Sequence, residues 1–390
     1  MEFRLAKSSD TEAIKKLWAY SFESYEPYFS WYFDTIYKQD QTLCAFEGEE
    51  LLASLQMIPY QLFLRGSVLP TTYIVGVITS PAARGQGIGR VLMEKAFAHL
   101  NNQNIPVSLL LPACPDFYFP LGYAYCYEEH RWQVPLTWLK KLTHSPAKGK
   151  WQEAGCNQAD IETLDSIYQN MTAGKNGFII RNKTNWQNFL TEFINDGGKI
   201  WLFGDEDNPQ AYLLYSFKDR TFMVREMGYT SFAAQRAAFR FIMGHLNEAD
   251  KLTWSAPPSD PAYLLLPFQD GITTRPFVMG NIINATSLLT AIHYPPQIEA
   301  NIGITISDKH APWNDKSLLI SISEGQASIS ETEEKFDFQI DTNALTALIF
   351  GRQSAEALAW QESIWGAQKE ELELLDACFP LCDNWISEQS

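Results

Sequence analysis

The stretch from residue 71 to 102 constrains the fold of this chain more than any other. It reads TTYIVGVITS, then PAARGQGIG, then RVLMEKAFAHLNN. The first segment is rich in β-branched residues and suits a central strand. From Ile88 into the last segment, Ile88, Val91, Leu92, Ala96 and His99 fall on one helical face. Between the two, Gly85, Gly87 and Gly89 alternate, with Arg84 and Arg90 on either side. A helix's first turn leaves backbone N–H groups without partners, and its dipole favours an anion there. Glycine lets the backbone take left-handed torsions and approach a ligand closely. Arginine adds charge and a hydrogen-bonding fork. Arg84, Gly85, Gln86, Gly87, Ile88 and Gly89 are therefore expected to hold a diphosphate. The turn is not a Walker loop, because no Gly-Lys-Ser/Thr follows. It is not the dinucleotide fingerprint either, because its spacing is G-x-G-x-G and its strand is not the first. A tight strand-to-helix turn without a ligand is the plain alternative.

With 390 residues, the chain exceeds one ordinary core and suits two or three domains. Strand and helix patterns divide it into three. Residues 1–145 read strand, helix, strands, strand-turn-helix, strand, strand, a mixed α/β layer structure. Within them, Ser9 to Glu12 has the form of a capping box, and GYAYCYEEHRWQV at 122–134 reads as one last strand. Residues 146–280, after the polar linker HSPAKGKWQEAG, repeat that order without the glycine turn. Their helix SFAAQRAAFRFIMGHL carries Phe232, Phe239, Ile242, Met243 and Leu246 along one side. Residues 281–390 hold short alternating strands and three helices, a small α+β domain.

A net charge of −16 argues against a nucleic-acid or anionic-membrane binder and leaves room for a cationic ligand. The six cysteines are widely spaced, so neither a zinc site nor a disulfide framework is expected, and no metal is. The segment Ile105–Tyr127 carries one charge but four prolines, which rules out a spanning helix. MEFRLAKSSD has no signal-peptide pattern, and a cytoplasmic protein is expected.

The R-x-x-G-x-G turn after such a strand resembles the acetyl-CoA motif of the GNAT N-acetyltransferases. The resemblance implies that Arg84 to Gly89 bind the pyrophosphate of coenzyme A and that Val77, Ile78 and Thr79 pair with its pantetheine arm. YFPLGY (118–123), GFIIRNKTNWQNFL (177–190), ISDKHAPWND and LTALIFGRQSAEAL resemble elements of the enhanced intracellular survival (Eis) family. That family implies a catalytic GNAT domain at 1–145, a degenerate GNAT-like domain at 146–280 and a sterol-carrier-protein-like domain at 281–390. It also implies acetyl-CoA as co-substrate, a primary amine as acceptor (aminoglycoside, polyamine or lysine-like) and a homo-oligomer, a hexamer in the family.

N-acetylation needs a neutral amine. An amine of pKa ~10.4 is free base in roughly one molecule in 2,500 at pH 7, a penalty of about 4.6 kcal/mol. By the resemblance, Tyr123 is the expected acid for the departing thiolate, and Tyr118 is expected to neighbour the pocket or the cofactor. The family's terminal carboxylate maps to Ser390, with Asp383 and Glu388 as substitutes and a frayed tail as the bland alternative. His99 and His130 are weaker candidates for a base. The aromatic run LWAYSFESYEPYFSWYF suits a cationic acceptor, with Trp18, Phe22, Glu23 and Trp31 as wall residues. The alternative function is a non-catalytic acyl-CoA or lipid binder.

Overall fold

A computed structural model describes residues 1–22, 24–205 and 208–388. The chain opens with β1 (Glu2–Leu5), α1 (Thr11–Ser21) and a short α2 (Tyr28–Trp31). Helix α1 buries Ile14, Leu17 and Trp18, a three- and four-residue spacing that makes one apolar face. The expected Ser9–Glu12 box does not form. Residues Ser8–Asp10 make a tight 3-10 turn instead, and the Asp10 carboxylate accepts from the Lys7 amide (2.7 Å) and from Arg4 (2.7 Å).

Long antiparallel strands follow: β2 (Thr42–Glu47), β3 (Glu50–Leu64) and β4 (Ser67–Thr79). Then come α3 (Ile88–Asn102), β5 (Val107–Leu110), α4 (Pro115–Tyr118), β6 (Ala124–Tyr125) and β7 (Glu128–Pro135). The second stretch runs β8 (Lys150–Ala154), α5 (Gln158–Thr172), β9 (Phe178–Ile180), α6 (Lys183–Asn195) and β10 (Lys199–Asp205). It continues with β11 (Asn208–Lys218), β12 (Thr221–Tyr229), α7 (Phe232–Met243), β13 (Lys251–Ala256), β14 (Ile272–Pro276) and β15 (Met279–Ile282). The last stretch holds α8 (Ala285–Ala291), β16 (Ala300–Ser307), β17 (Ser317–Ser323), β18 (Gln326–Thr332) and β19 (Gln339–Asp341). It ends with α9 (Thr342–Ile349), α10 (Ala355–Trp360), β20 (Ile364–Trp365) and α11 (Lys369–Cys378).

Three mixed sheets result. The first is ordered β1-β2-β3-β4-β5-β15-β6 with β9 added to β3, the second β14-β7-β13-β12-β11-β10-β8, the third β18-β17-β16-β19-β20. Strands cross the expected division at 145 in both directions, and β15 itself straddles 280. The stretch expected as one strand at 122–134 is two: β6 stays in the first sheet and β7 joins the second. In return, β9 and β15 join the first. In α7, Phe232 is exposed and Ala234, Ala237, Ala238, Phe239 and Ile242 form the packed face; Leu246, expected on that face, lies beyond the helix and is exposed.

One face of the first sheet packs on α3 through Leu55, Leu92 and Phe97. The other shares a continuous core with the third stretch through Tyr73, Leu109, Leu348 and Phe350. At the β3–β4 hairpin tip, the buried Arg65 donates to the carbonyls of Leu348 (3.1 Å), Ile349 and Pro380 (3.0 Å). It thereby satisfies the carboxyl end of α9, whose last carbonyls lack helical partners. Beyond α11 the chain turns back between the first two sheets. Asn176 accepts from Trp385 N (3.1 Å), and residues 384–388 are buried. The tail is not frayed over these residues.

Candidate active site

The glycine turn lies at the mouth of α3. Gly85 and Gly87 have φ of +74° and +77°, torsions that side chains other than glycine's tolerate poorly. Gly87 is the N-cap, and no side chain caps the helix. The N–H groups of the first turn are thus left without a side-chain acceptor. Arg84 is anchored by donating from Nε to the Thr79 carbonyl (3.2 Å), and Gln86 donates to Ala82 O (3.1 Å). Ile88 is buried in the core beneath, and Gly89 sits against Thr79 and Phe117.

Strand β4 parts from β5 just before this turn. Only Thr71, Thr72 and Tyr73 pair with Val107, Ser108 and Leu109. Beyond them, Ser54 faces Ile78 and Gln56 faces Val75, so Gly76 and Val77 together oppose Leu55. This bulge bends β4 and frees backbone groups from the ladder. A Cβ on Gly76 would lie 2.5 Å from the Trp18 ring, so glycine is required for the bend to pack on α1. Val77, Ile78 and Thr79 line the parted strand's outgoing half, with Ile78 itself buried.

Tyr123 is fully buried on the α3 side of the sheet, and its hydroxyl shares a 2.8 Å hydrogen bond with Ser108 on β5. Burial pushes its pKa up, against the opposing effect of that bond. Tyr118 packs edge-on against it at 5.7 Å, and burial pushes the Tyr118 phenol up to about 12.

Two cavities open on the α1 side. The smaller, about 260 Å³, is lined by Trp18, Phe22, Tyr25, Val75, Gly76, Glu192 and Asp196. The larger, about 540 Å³, carries Trp31, Tyr32, Tyr60, Phe189, Arg225 and Glu388. Tyr28 and Glu192 line both. Trp18, Phe22 and Trp31 are thus brought to the cavities, whereas Glu23 and Ser390 lie outside the described residues. Burial pushes the Glu192 carboxyl up to about 6, with Arg225 pulling it down and Asp196 adding to the rise. Asp196 is raised too, chiefly by burial.

Glu192, Asp196 and Arg225 escaped the sequence reading. They belong to α6, the residue just beyond it, and β12, all of the second stretch. The acids of TEFIND look like any solvated helix end. Asp383 is paired with Lys175 (2.6 Å), and His130 meets Tyr263 edge-to-face at 5.3 Å. His99 is half-buried on α3, its pKa lowered by burial.

The tail reaches the larger cavity under a buried clamp. Arg181 donates to Glu226 (2.8 and 2.7 Å), Glu388 (2.8 Å) and the Ser387 hydroxyl (2.6 Å), with its guanidinium over Tyr168, Trp186 and Phe189. The Tyr73 hydroxyl donates to Glu388 O (3.4 Å).

The second sheet repeats the parting and closes it. Strands β12 and β13 pair only over Thr221–Val224 and Lys251–Trp254, and Arg225 is the extra residue of a bulge between the partners of Leu214 and Tyr215. There Trp385, Ile386 and Ser387 fill the mouth, leaving about 20 Å³. The following helix is capped by its own Ser231, which accepts from Ala234 N (3.2 Å). The second parting therefore offers no open slot, and its helix mouth is side-chain capped where that of α3 is not.

Among the described residues, no group of His, Cys, Asp and Glu could hold a metal ion, and no helix is long and apolar enough to cross a membrane.

A mixed sheet with a bulged strand parting before an uncapped, glycine-lined helix defines the acetyltransferase (GNAT) class. The family models agree: acetyltransferase (GNAT) domains match residues 2–126 and 177–282. A sterol carrier protein domain matches residues 286–387. The chain is a GNAT acetyltransferase with the three-part, Eis-like architecture. Among solved structures it resembles a GCN5-related N-acetyltransferase from Anabaena variabilis, at 21% identity and TM-score 0.86 over 99% of each chain. It also resembles a probable N-acyltransferase from Enterococcus faecalis, at 19% and 0.89 over 100% and 99%. Eis1 from Mycobacterium abscessus aligns at 17% and 0.78 over the whole of both chains. Among curated proteins no sequence match is found.

Proposed function

We propose that the protein transfers acetyl from acetyl-CoA to a primary amine by direct attack on the thioester. The observation that carries this is the parted, bulged β4, with the uncapped α3 mouth beyond its end and, at its bulge, the smaller acid-and-aromatic cavity, which shares Tyr28 and Glu192 with the larger. The pyrophosphate sits on the amides of Gly85 to Gly89 beside Arg84, with helix dipole and charge both favourable. The pantetheine arm pairs with Val77, Ile78 and Thr79 and brings the thioester into the parting. The freed backbone at the bulge polarises its carbonyl.

The amine enters from the α1 side, between Trp18 and Phe22 with Trp31 beyond. Its nitrogen bonds to the carbonyl carbon as the carbon–sulfur bond breaks. Glu192 takes the nitrogen's proton. A carboxylate lifted to about 6 is a better acceptor than an ordinary one and is still about nine-tenths ionised at pH 7. The departing sulfur takes a proton from Tyr123, reached from the opposite side of the sheet, with Ser108 orienting the phenol.

The test is thiol release from acetyl-CoA in the presence of single amines. Amine-dependent release is expected, and Tyr123→Phe is expected to lower kcat by about 10- to 100-fold. Stoichiometric CoA binding with no release for any amine would make the protein a non-catalytic acyl-CoA binder instead.

A further inference from the structure

The larger cavity is not uniformly acidic. Its cation Arg181 is spoken for by Glu226 and Glu388. Arg225 is not. It is half-buried, its Nη1 donates to the Ser387 carbonyl (2.8 Å), and its guanidinium lies 5.0 Å from the Phe189 ring. No other hydrogen bond of this guanidinium, and no ion pair, falls among the described residues. The bulge turns it into the cavity, and Asn185 and Asn188 of α6 line the same wall. Lys38 stands exposed at the rim. Asp196 lies on the smaller cavity beside Gly76, and Glu192 lines both, near enough to Arg225 for the guanidinium to pull its carboxyl down. The joined space therefore presents both signs, with Asp196 on the smaller cavity, Glu192 on both, and on the larger a guanidinium with hydrogen-bonding capacity left over.

We propose that the acceptor carries a carboxylate at a few carbons' distance from its reacting amine, and that Arg225 recognises it. This rests on the acetyltransferase reading above. Glu192 acts on this half-buried guanidinium only through space, with no ion pair between them, whereas an acceptor carboxylate meets its planar fork with two parallel hydrogen bonds. The ammonium meanwhile faces Glu192 and Asp196. A polycationic acceptor would set a second ammonium against Arg225, which penalises it.

Two single-amine acceptors that differ only in the carboxylate test this: Nα-acetyl-lysine and N-acetylcadaverine. With the wild-type protein, kcat/KM for the first is expected to exceed that for the second by at least about 10-fold. Arg225→Gln is expected to bring the ratio near one while leaving KM for acetyl-CoA unchanged, and Arg225→Lys to retain part of the preference. Equal or better use of N-acetylcadaverine by the wild type overturns the inference, as does a ratio that Arg225→Gln leaves intact. The wild-type comparison stands even where a variant loosens the tail through the lost Ser387 contact. Release with cadaverine-type amines alone defeats only this inference. No release with any amine defeats the acetyltransferase reading and this one together.

Discussion

Arg84 and Glu192 bear charge at opposite ends of the proposed reaction path, and their replacement separates two steps. Arg84 sits at the glycine turn and lines neither acceptor cavity, its guanidinium 5.8 Å from the Tyr20 ring, so Arg84→Ala is expected to raise KM for acetyl-CoA by about 10-fold, about 1.4 kcal/mol, with kcat nearly unchanged. Steady-state kinetics with varied acetyl-CoA checks this. Glu192 acts only when ionised. Below about pH 6 it is protonated and cannot take the amine's proton. Since the amine must also be neutral, log kcat/KM is expected to rise with a slope of about two below that point and about one above it. Glu192→Gln is expected to lose the steeper limb and about 100-fold in rate. A profile of unchanged shape in the variant would remove Glu192 from the proton path.

At the scale of single elements, α3 and α7 are an internal comparison. Both follow a bulged, parting strand; one has a bare mouth and the other its own cap. Gly87→Ala, forced into a left-handed torsion, is expected to cost roughly 1–2 kcal/mol and to weaken CoA binding. Ser231→Ala is expected to cost about 1 kcal/mol and leave CoA binding untouched. Urea unfolding and CoA titration of each variant distinguish the two. The strand at 67–79 and helix at 88–102 were legible because β-branched runs, helical spacing and alternating glycines are local signals. The cavity was not. Its acids and its arginine come from α6, the residue beyond it and β12, and no spacing in the chain links residue 192 to residue 18. The bulge that aims Arg225 leaves no mark in REMGY, and the break at Tyr127 lies inside an unbroken alternation. Fold class rests on periodicity, which is local, whereas the acceptor side rests on packing between distant segments.

The whole molecule is tied by its tail. Glu226 is buried, which alone would raise its carboxyl, yet Arg181 and its hydrogen bonds hold it below the usual range. The folded pKa is depressed, so this contribution is present above the unfolded carboxylate value and is lost as pH falls through the folded one. Arg181→Ala leaves two buried acids unpaired and is expected to cost about 3–5 kcal/mol at neutral pH, with a smaller deficit at acid pH. Denaturant titration at both pH values measures it. The crossing of strands has a separate consequence. Lys148 is exposed in the loop between β7 and β8, where trypsin can cut. Because β7 stays zipped to β13 and β14, and β9 and β15 to their counterparts upstream, such a nick would sever the backbone without releasing either fragment. The cleaved protein would elute as one particle and separate into two bands only in detergent.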